Sequence, residues 1–380
     1  MDALRLRVLL VLGTSTGGIG QHVRSLAAGL VERGHQVVVA GPSDTESVFG
    51  FRAAGARFVA AEIGVTPSPR DLAVARALSR WVTGADVVHA HGFRAGLVAL
   101  SAGAGKGFPL AGVRAGQSPL VVTWHNQILA SGLKGRLMHA AEGRVARGAS
   151  LSLGASADLV SQAKRAGGVA ELCEVAAPRP GPASRDRQAV RRDLGLADEP
   201  MVLAVGRLHP QKDYPTMVSA MRRLDDRRPR PVLVIAGDGP DEHELARLID
   251  REGVAARLLG RRDDVADLLR AADVFALSSI WEARALVVQE AMQVGLPVVA
   301  TSVGGLSDLV GSDGLLVEPG DPEALAHAIE TVLDDPTGAA LRAERAQRRA
   351  DAWPTEDDVV DAVVDVYRRL VTRPSRERPR

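Results

Sequence analysis

From residue 6 onward, short apolar runs alternate with amphipathic stretches, stop at a proline-rich break, and then resume the same alternation. Each crossover in such a chain returns it to the same end of the sheet, so the pattern builds a parallel sheet with helices on its faces. Two rounds imply two doubly wound α/β domains, and 380 residues suits two such cores better than one.

The first round opens with an apolar run over 6–12, then the tight loop Gly13-Thr-Ser-Thr-Gly17-Gly18-Ile-Gly20 and an amphipathic helix over 19–33. Gly34 is placed to stop that helix, and 36–40 resumes a strand. Further strands are predicted at 86–90 and 120–123, with helices over 70–81 and 135–147. The break, Ala176-Ala-Pro-Arg-Pro-Gly-Pro-Ala183, packs three prolines and a glycine into eight residues, which neither a helix nor a central strand tolerates. Beyond it come strands at 201–205, 231–236, 257–259, 273–277 and 297–300, with helices over 214–224, 241–252, 264–271, 286–294 and 322–333. A last helix over 357–370, after Pro354, is expected to cross back onto the first domain. The expected domains are therefore 1–178, joined by 355–372, and 179–354, with a frayed proline- and arginine-rich tail at 373–380.

A single cysteine, Cys173, rules out an internal disulfide framework and fits a reducing compartment. The first residues lack the apolar core of a signal peptide, and no apolar run approaches the ~18 residues of a membrane helix. A cytoplasmic protein is expected, at most peripheral at the inner face of the membrane. The net charge of +1 divides into +7 over 1–178 and −6 over the remainder. These charges are scattered, which reads as solvated surface and gives no reason to expect a nucleic-acid partner. The helix carrying Lys134, Arg136, Arg144 and Arg147 reads as an ordinary amphipathic helix, with weak membrane contact as the alternative.

In doubly wound folds function gathers in the loops that follow strands. Gly17 and Gly18 allow backbone amides to approach a phosphate or sugar, although a ligand-free βα turn needs the same glycines. The loop lacks the G-x-G-x-x-G spacing, and Ala40-Gly41-Pro42 stands where a nicotinamide enzyme needs a ribose-binding acid. A dehydrogenase is disfavoured on both counts. After the strand ending at Gly206, Arg207 offers a planar fork of donors and Lys212 a compact charge, together a clamp suited to a diphosphate. Glu282 leaves a strand-end loop, and Glu290 follows it eight residues on, inside a helix. The first amides of that helix, at Ala285, Leu286 and Val287, make a positive pocket suited to phosphate. Two carboxylates so placed suit an oxocarbenium-like centre and a ribose, and two solvated helix glutamates are the plain alternative. His89 and His91 alternate at a strand end without a metal-ligand partner set. Asp263-Asp264 reads as a helix N-cap, and His209 and His243 as surface residues. With no D-x-D in the chain, neither a metal nor a cofactor is expected.

The second domain resembles that of retaining glycosyltransferases of GT-B fold, specifically family 4, the group of glycogen and sucrose synthases. The shared pattern runs through Gly206-Arg207, Lys212, Gly237-Asp-Gly-Pro240, Leu259-Gly260 and the E-x7-E of Glu282 and Glu290. It continues in Ala291-Met292, Gly295-x-Pro297-Val-Val-Ala-Thr301, Gly304-Gly305, Gly314-Leu-Leu-Val and Pro319-Gly-Asp. The first domain matches through Thr16-Gly-Gly-Ile-Gly20, Val88-His-Ala-His91 and Val122-Thr-Trp-His125.

The resemblance implies two Rossmann-like domains facing across a cleft. It implies metal-independent transfer of a sugar, with retention, from a nucleoside-diphosphate donor to a hydroxyl acceptor: a small molecule, a glycan or a lipid head group. Arg207 and Lys212 would hold the diphosphate, Glu290 the ribose, and Gly18 the donor phosphate or the acceptor. Glu282 would lie beside the transferred sugar, and His125 would contact that sugar from the other domain. Front-face attack, with the leaving phosphate accepting the acceptor's proton, is the implied course. Relatives read Glu-Gly-Phe-Gly where this chain has Glu282-Ala-Arg-Ala285, which puts the donor sugar in question. Arg284 is expected either beside a charged sugar or acceptor, or in solvent. A non-catalytic nucleotide-sugar sensor and a GT-B sugar-nucleotide epimerase are the competing readings.

Overall fold

The computed structural model describes residues 4–103, 118–129 and 132–372. The expected tail at 373–380 lies outside the described residues, as does the side chain of Lys134. The chain forms two compact units, Met1–Ala176 with Pro354–Arg380, and Ala177–Trp353.

In the first unit, β1 (Arg7–Leu12), β2 (Gln36–Gly41), β3 (Arg57–Ala60), β4 (Val87–His91), β5 (Leu120–Trp124), β6 (Leu151–Gly154) and β7 (Ala170–Leu172) form one sheet. Their order is β3-β2-β1-β4-β5-β6-β7, and every neighbouring pair is parallel. In the second unit, β8 (Met201–Val205), β9 (Val232–Ala236), β10 (Ala256–Leu258), β11 (Val274–Leu277), β12 (Val298–Thr301) and β13 (Leu315–Val317) form another. It runs β10-β9-β8-β11-β12-β13, again all parallel. The central strands are buried on both faces, as β4, β5 and β9 show along their whole length, which explains their unbroken apolar sequences.

Each sheet grows outward from its first strand, then returns to the other side of that strand. The strand order therefore reverses between β1 and β4, and between β8 and β11. Loops leaving the carboxyl ends of those neighbours turn to opposite faces of the sheet and open a crevice between them. Those four strand ends, with the ends of β5 and β12, carry the residues of interest.

The helix Glu356–Thr372 belongs to the first unit. It buries Val360, Val363, Val364, Val366 and Tyr367 in the same core as Leu26 and Leu30 of the helix Gly18–Glu32. Gly29 permits the close approach, since a Cβ there would lie 2.6 Å from Val360 Cγ2. Arg33 then bridges Asp357 and Asp361 at 3.3 and 2.7 Å. No helix among the described residues is long and apolar enough to cross a membrane.

Candidate functional site

In the second unit β8 ends at Val205, and the chain passes through Gly206 and Arg207 into a 3-10 turn at Pro210–Lys212. Arg207 is exposed and meets no carboxylate within ion-pair distance among the described residues. His209, also exposed, caps the turn by accepting from the Gln211 amide at 3.3 Å. Asp213 takes a left-handed conformation (φ 46°) and caps the next helix, Tyr214–Arg223, accepting from the Thr216 hydroxyl at 2.6 Å.

This loop is bound to the one leaving β11. The Ser278 hydroxyl donates to the Lys212 and Asp213 carbonyls at 2.8 and 2.9 Å. The Ile280 amide donates to Gln211 O at 2.9 Å, and the Gln211 side-chain amide to Trp281 O at 2.8 Å. At the meeting point, Glu282 Oε1 accepts from Lys212 Nζ at 2.6 Å and from Ser279 Oγ at 2.8 Å. Glu282 is only 9% exposed, so this charge is held by a cation and a hydroxyl rather than by water.

The loop after β12 supports Glu282 from behind. Gly305 N–H donates to Glu282 O at 2.9 Å. Gly304 has φ 51°, and a Cβ built on it would stand 1.9 Å from that same carbonyl oxygen. Gly206 and Gly237 make a comparable approach on the β8 side, where a Cβ on Gly237 would lie 1.9 Å from Gly206 O. The glycines of the sequence pattern thus fix the backbone that carries the site.

The helix Leu286–Gln293 starts directly after this loop, with Ala285 at its N-cap. Alanine has no side-chain acceptor, so the N-cap residue makes no side-chain cap to the first-turn amides at Leu286 and Val287, at the positive end of the helix. Burial pushes the Glu290 carboxyl up to about 7. Ala283 and Ala285 are buried, and Ala285 packs within the second unit's core. Arg284 is half-buried with its guanidinium 5.3 Å from the Trp353 ring centroid, and so does not point into open solvent. Asp264 occupies the N-cap position of Val265–Ala271, but its carboxylate accepts from Arg262 at 2.6 Å instead of capping.

In the first unit the loop after β1 leads through Gly17 to the helix Gly18–Glu32. Gly17 is extended, and a Cβ there would meet nothing within 4 Å. Gly20 has a packing role, because its Cβ would fall 2.1 Å from the Phe49 ring. His91 ends β4, His125 follows β5, and His22 projects from the helix; all three are buried. His91 Nδ1 and His125 Nε2 lie 3.2 Å apart. Behind them His89 is held by the Tyr367 hydroxyl and by Thr123 Oγ1, both at 2.6 Å. Burial lowers the His22 pKa to about 4 and that of His89 to about 3, and it holds His91 and His125 well below the usual histidine range. These are neutral imidazoles, able to donate from one nitrogen and accept at the other.

The ligating nitrogens of His22, His91 and His125 lie within 4.8 Å of one another, a grouping that could hold a metal ion. His91 therefore does have potential ligand partners, contrary to the sequence-based expectation. His22, which comes from a separate segment, completes the set. Its only sequence signal is a histidine on the otherwise apolar inner face of an amphipathic helix.

Two doubly wound parallel units, with a cation-clamped buried glutamate and a helix start after the switch-point strands, are what the resemblance to GT-B glycosyltransferases implies. Residues 186–352 match the family described as glycosyl transferases group 1, and residues 17–179 a glycosyl transferase 4-like domain. A glycogen synthase of Mycobacterium tuberculosis is 31% identical over 394 residues, covering 92% of this chain and 91% of that protein. A D-inositol 3-phosphate glycosyltransferase of Kineococcus radiotolerans is 36% identical over 229 residues, covering 53% of this chain and 51% of its own. The Anabaena protein Alr3699/HepE, in complex with UDP-glucose, superposes with a TM-score of 0.81 at 22% identity, covering 96% of this chain and 100% of its own. The chain belongs to the family 4 glycosyltransferases of GT-B fold.

Proposed function

We propose that this glycosyltransferase moves a hexose, with retention of anomeric configuration and without a catalytic metal ion, from a nucleoside diphosphate to a hydroxyl. The observation that carries this reading is the Lys212–Glu282–Ser279 network beside the exposed Arg207 and the start of Leu286–Gln293. The leaving group of such a donor is a diphosphate, and two cations with a helix N-terminus neutralise its growing charge as the glycosidic bond breaks. Glu282, negative and desolvated, stabilises positive charge developing on the sugar ring. Glu290 accepts from the ribose hydroxyls. Relatives bearing names such as glycogen synthase and inositol-phosphate glycosyltransferase support hexose transfer to a hydroxyl acceptor.

A panel of nucleoside-diphosphate sugars, scored by thermal shift and by diphosphate release with and without acceptors, tests this reading. Glu282→Gln is expected to lower turnover about a hundredfold or more while the donor still raises Tm. Turnover should survive EDTA, and NMR of the product should show the donor's anomeric configuration. Unchanged turnover in the glutamine variant would overturn the role of Glu282, and an inverted product would overturn retention.

A lipid-linked acceptor is the second reading, and one surface feature favours it. Leu133 and Leu137, one helical turn apart on Gly132–Gly148, are 75% and 65% exposed beside Arg136. Salt-sensitive co-sedimentation with anionic vesicles, lost in a Leu133→Ser/Leu137→Ser variant, is the expected result; equal sedimentation of the variant rejects it.

A further inference from the structure

At the amino ends of the first sheet's strands, away from the loops already described, lies a cavity of about 660 Å³. It opens among the starts of β1, β2 and β3 and the end of the helix Arg70–Gly84. All strands of this sheet run the same way, so β1 spans from this cavity to the Gly13–Gly17 loop, about 20 Å at ~3.3 Å per residue. The two places are separate.

Four arginines line the cavity: Arg5, Arg7, Arg57 and Arg80. Asp86 occupies Arg7 at 2.7 Å. Arg57 and Arg80 have no carboxylate partner among the described residues; their guanidiniums instead stand 4.7 and 5.4 Å from the ring centroid of one side chain, Trp81. The Trp81 indole thus stands next to two cations that no carboxylate among the described residues neutralises, and an anion bound there is attracted to both.

His35 and Trp81 also border the cavity. His35 Nδ1 accepts from the Leu6 amide at 3.2 Å, so the ring proton of this neutral imidazole is on Nε2. That N–H is buried with no acceptor, and so is Nε1–H of Trp81. Burial, followed by the charges of Arg368 and Arg33, lowers the His35 pKa and keeps the ring neutral. The floor is apolar, formed by valines of β1 and β2. The volume falls within the usual range for organic ligands, about 300–1,000 Å³.

We propose that this cavity binds a small organic phosphate, such as a sugar phosphate or a nucleoside monophosphate. Its phosphate lies between Arg57 and Arg80, and its body lies against Trp81 and the valine floor. A planar guanidinium fork matches phosphate oxygens, and the indole and valines reward an organic body that inorganic phosphate lacks.

Calorimetric titration of the full chain with inorganic phosphate, a hexose phosphate and a nucleoside monophosphate tests the proposal. Saturable binding of at least one organic phosphate, tighter than that of inorganic phosphate, is expected. A double Arg57→Gln/Arg80→Gln variant changes only exposed side chains and should keep its Tm and its thermal response to nucleotide sugars. It should bind the organic phosphate about tenfold or more weakly, as expected for loss of a charge-assisted contact. Which organic phosphate binds separates the two sources of the ligand. Three outcomes overturn the proposal: no saturable binding at millimolar concentrations, equal binding by the variant, or inorganic phosphate binding as tightly as the organic ones.

Discussion

Glu290 and Glu282 lie eight residues apart, yet their surroundings differ in kind. Glu282 has Lys212 and Ser279 at hydrogen-bond distance, whereas Glu290 is desolvated and its pKa rises from 4.5 to about 7. The folded state therefore keeps the Glu290 proton to higher pH than the unfolded chain does. The stability this contributes is complete below about 4.5 and is lost as pH rises through about 7. Glu290→Gln removes the dependence, so its Tm should coincide with wild type near pH 4.5, exceed it increasingly toward pH 7 and level off above that. A Tm difference that stays flat across that range would refute the assignment. The histidines act in the opposite sense. With His22 near 4 and His89 near 3, against 6.5 unfolded, their contribution is present above 6.5 and is lost as pH falls toward those values. At this scale the sequence shows charge more readily than contact. Arg207, Lys212 and Glu282 stand out because fixed charges directly after strands are unusual. Ser279 and His22 do not, because a hydroxyl and one helix histidine acquire meaning only from neighbours distant in the chain.

The elements that carry the site are fixed by backbone approach. The loop after β12 holds the Glu282 carbonyl through Gly305 N–H, and Gly304 leaves no room for a Cβ beside it. Gly304→Ala brings that steric conflict together with a left-handed backbone, so a loss of about 1–3 kcal/mol in denaturant unfolding is expected. Donor affinity should fall with it, because the displaced carbonyl belongs to Glu282 itself; unchanged stability and affinity would show that the loop does not hold Glu282. Element legibility follows the strength of the apolar period. Strand Met201–Val205 and helix Leu286–Gln293 are readable within a residue or so, since long apolar runs and a clear 3.6-residue period mark them. The helix Pro336–Asp351 is absent from the sequence-based expectation. It buries only Ala339, Ala343, Ala346 and Ala350, and among so many charged residues four methyls leave a faint stripe. The strands β3, β6 and β7 span three or four residues each, too short for a period to register.

At the scale of the molecule, the first unit is discontinuous in sequence, and its stability depends on residues that follow the entire second unit. Val360, Val363, Val364, Val366 and Tyr367 are at most 5% exposed, and the Tyr367 hydroxyl closes the hydrogen-bond chain to His89 and Thr123. Full burial of such side chains contributes about 1.5–3 kcal/mol each, so the five together amount to roughly 10 kcal/mol. That is comparable with the whole stability of an ordinary domain, about 5–15 kcal/mol. A chain ending at Trp353 leaves the inner face of Gly18–Glu32 without its cover and His89 without its tyrosine. The second unit, Ala177–Trp353, keeps all its strands and its own apolar cores. Such a truncation should therefore lose the cooperative melting of the first unit, which proteases would then digest, while a protected fragment beginning near Ala177 persists and still gains Tm with a nucleoside diphosphate. If the first unit melted cooperatively without residues 354–380, the helix Glu356–Thr372 would be an accessory to that core and not part of it.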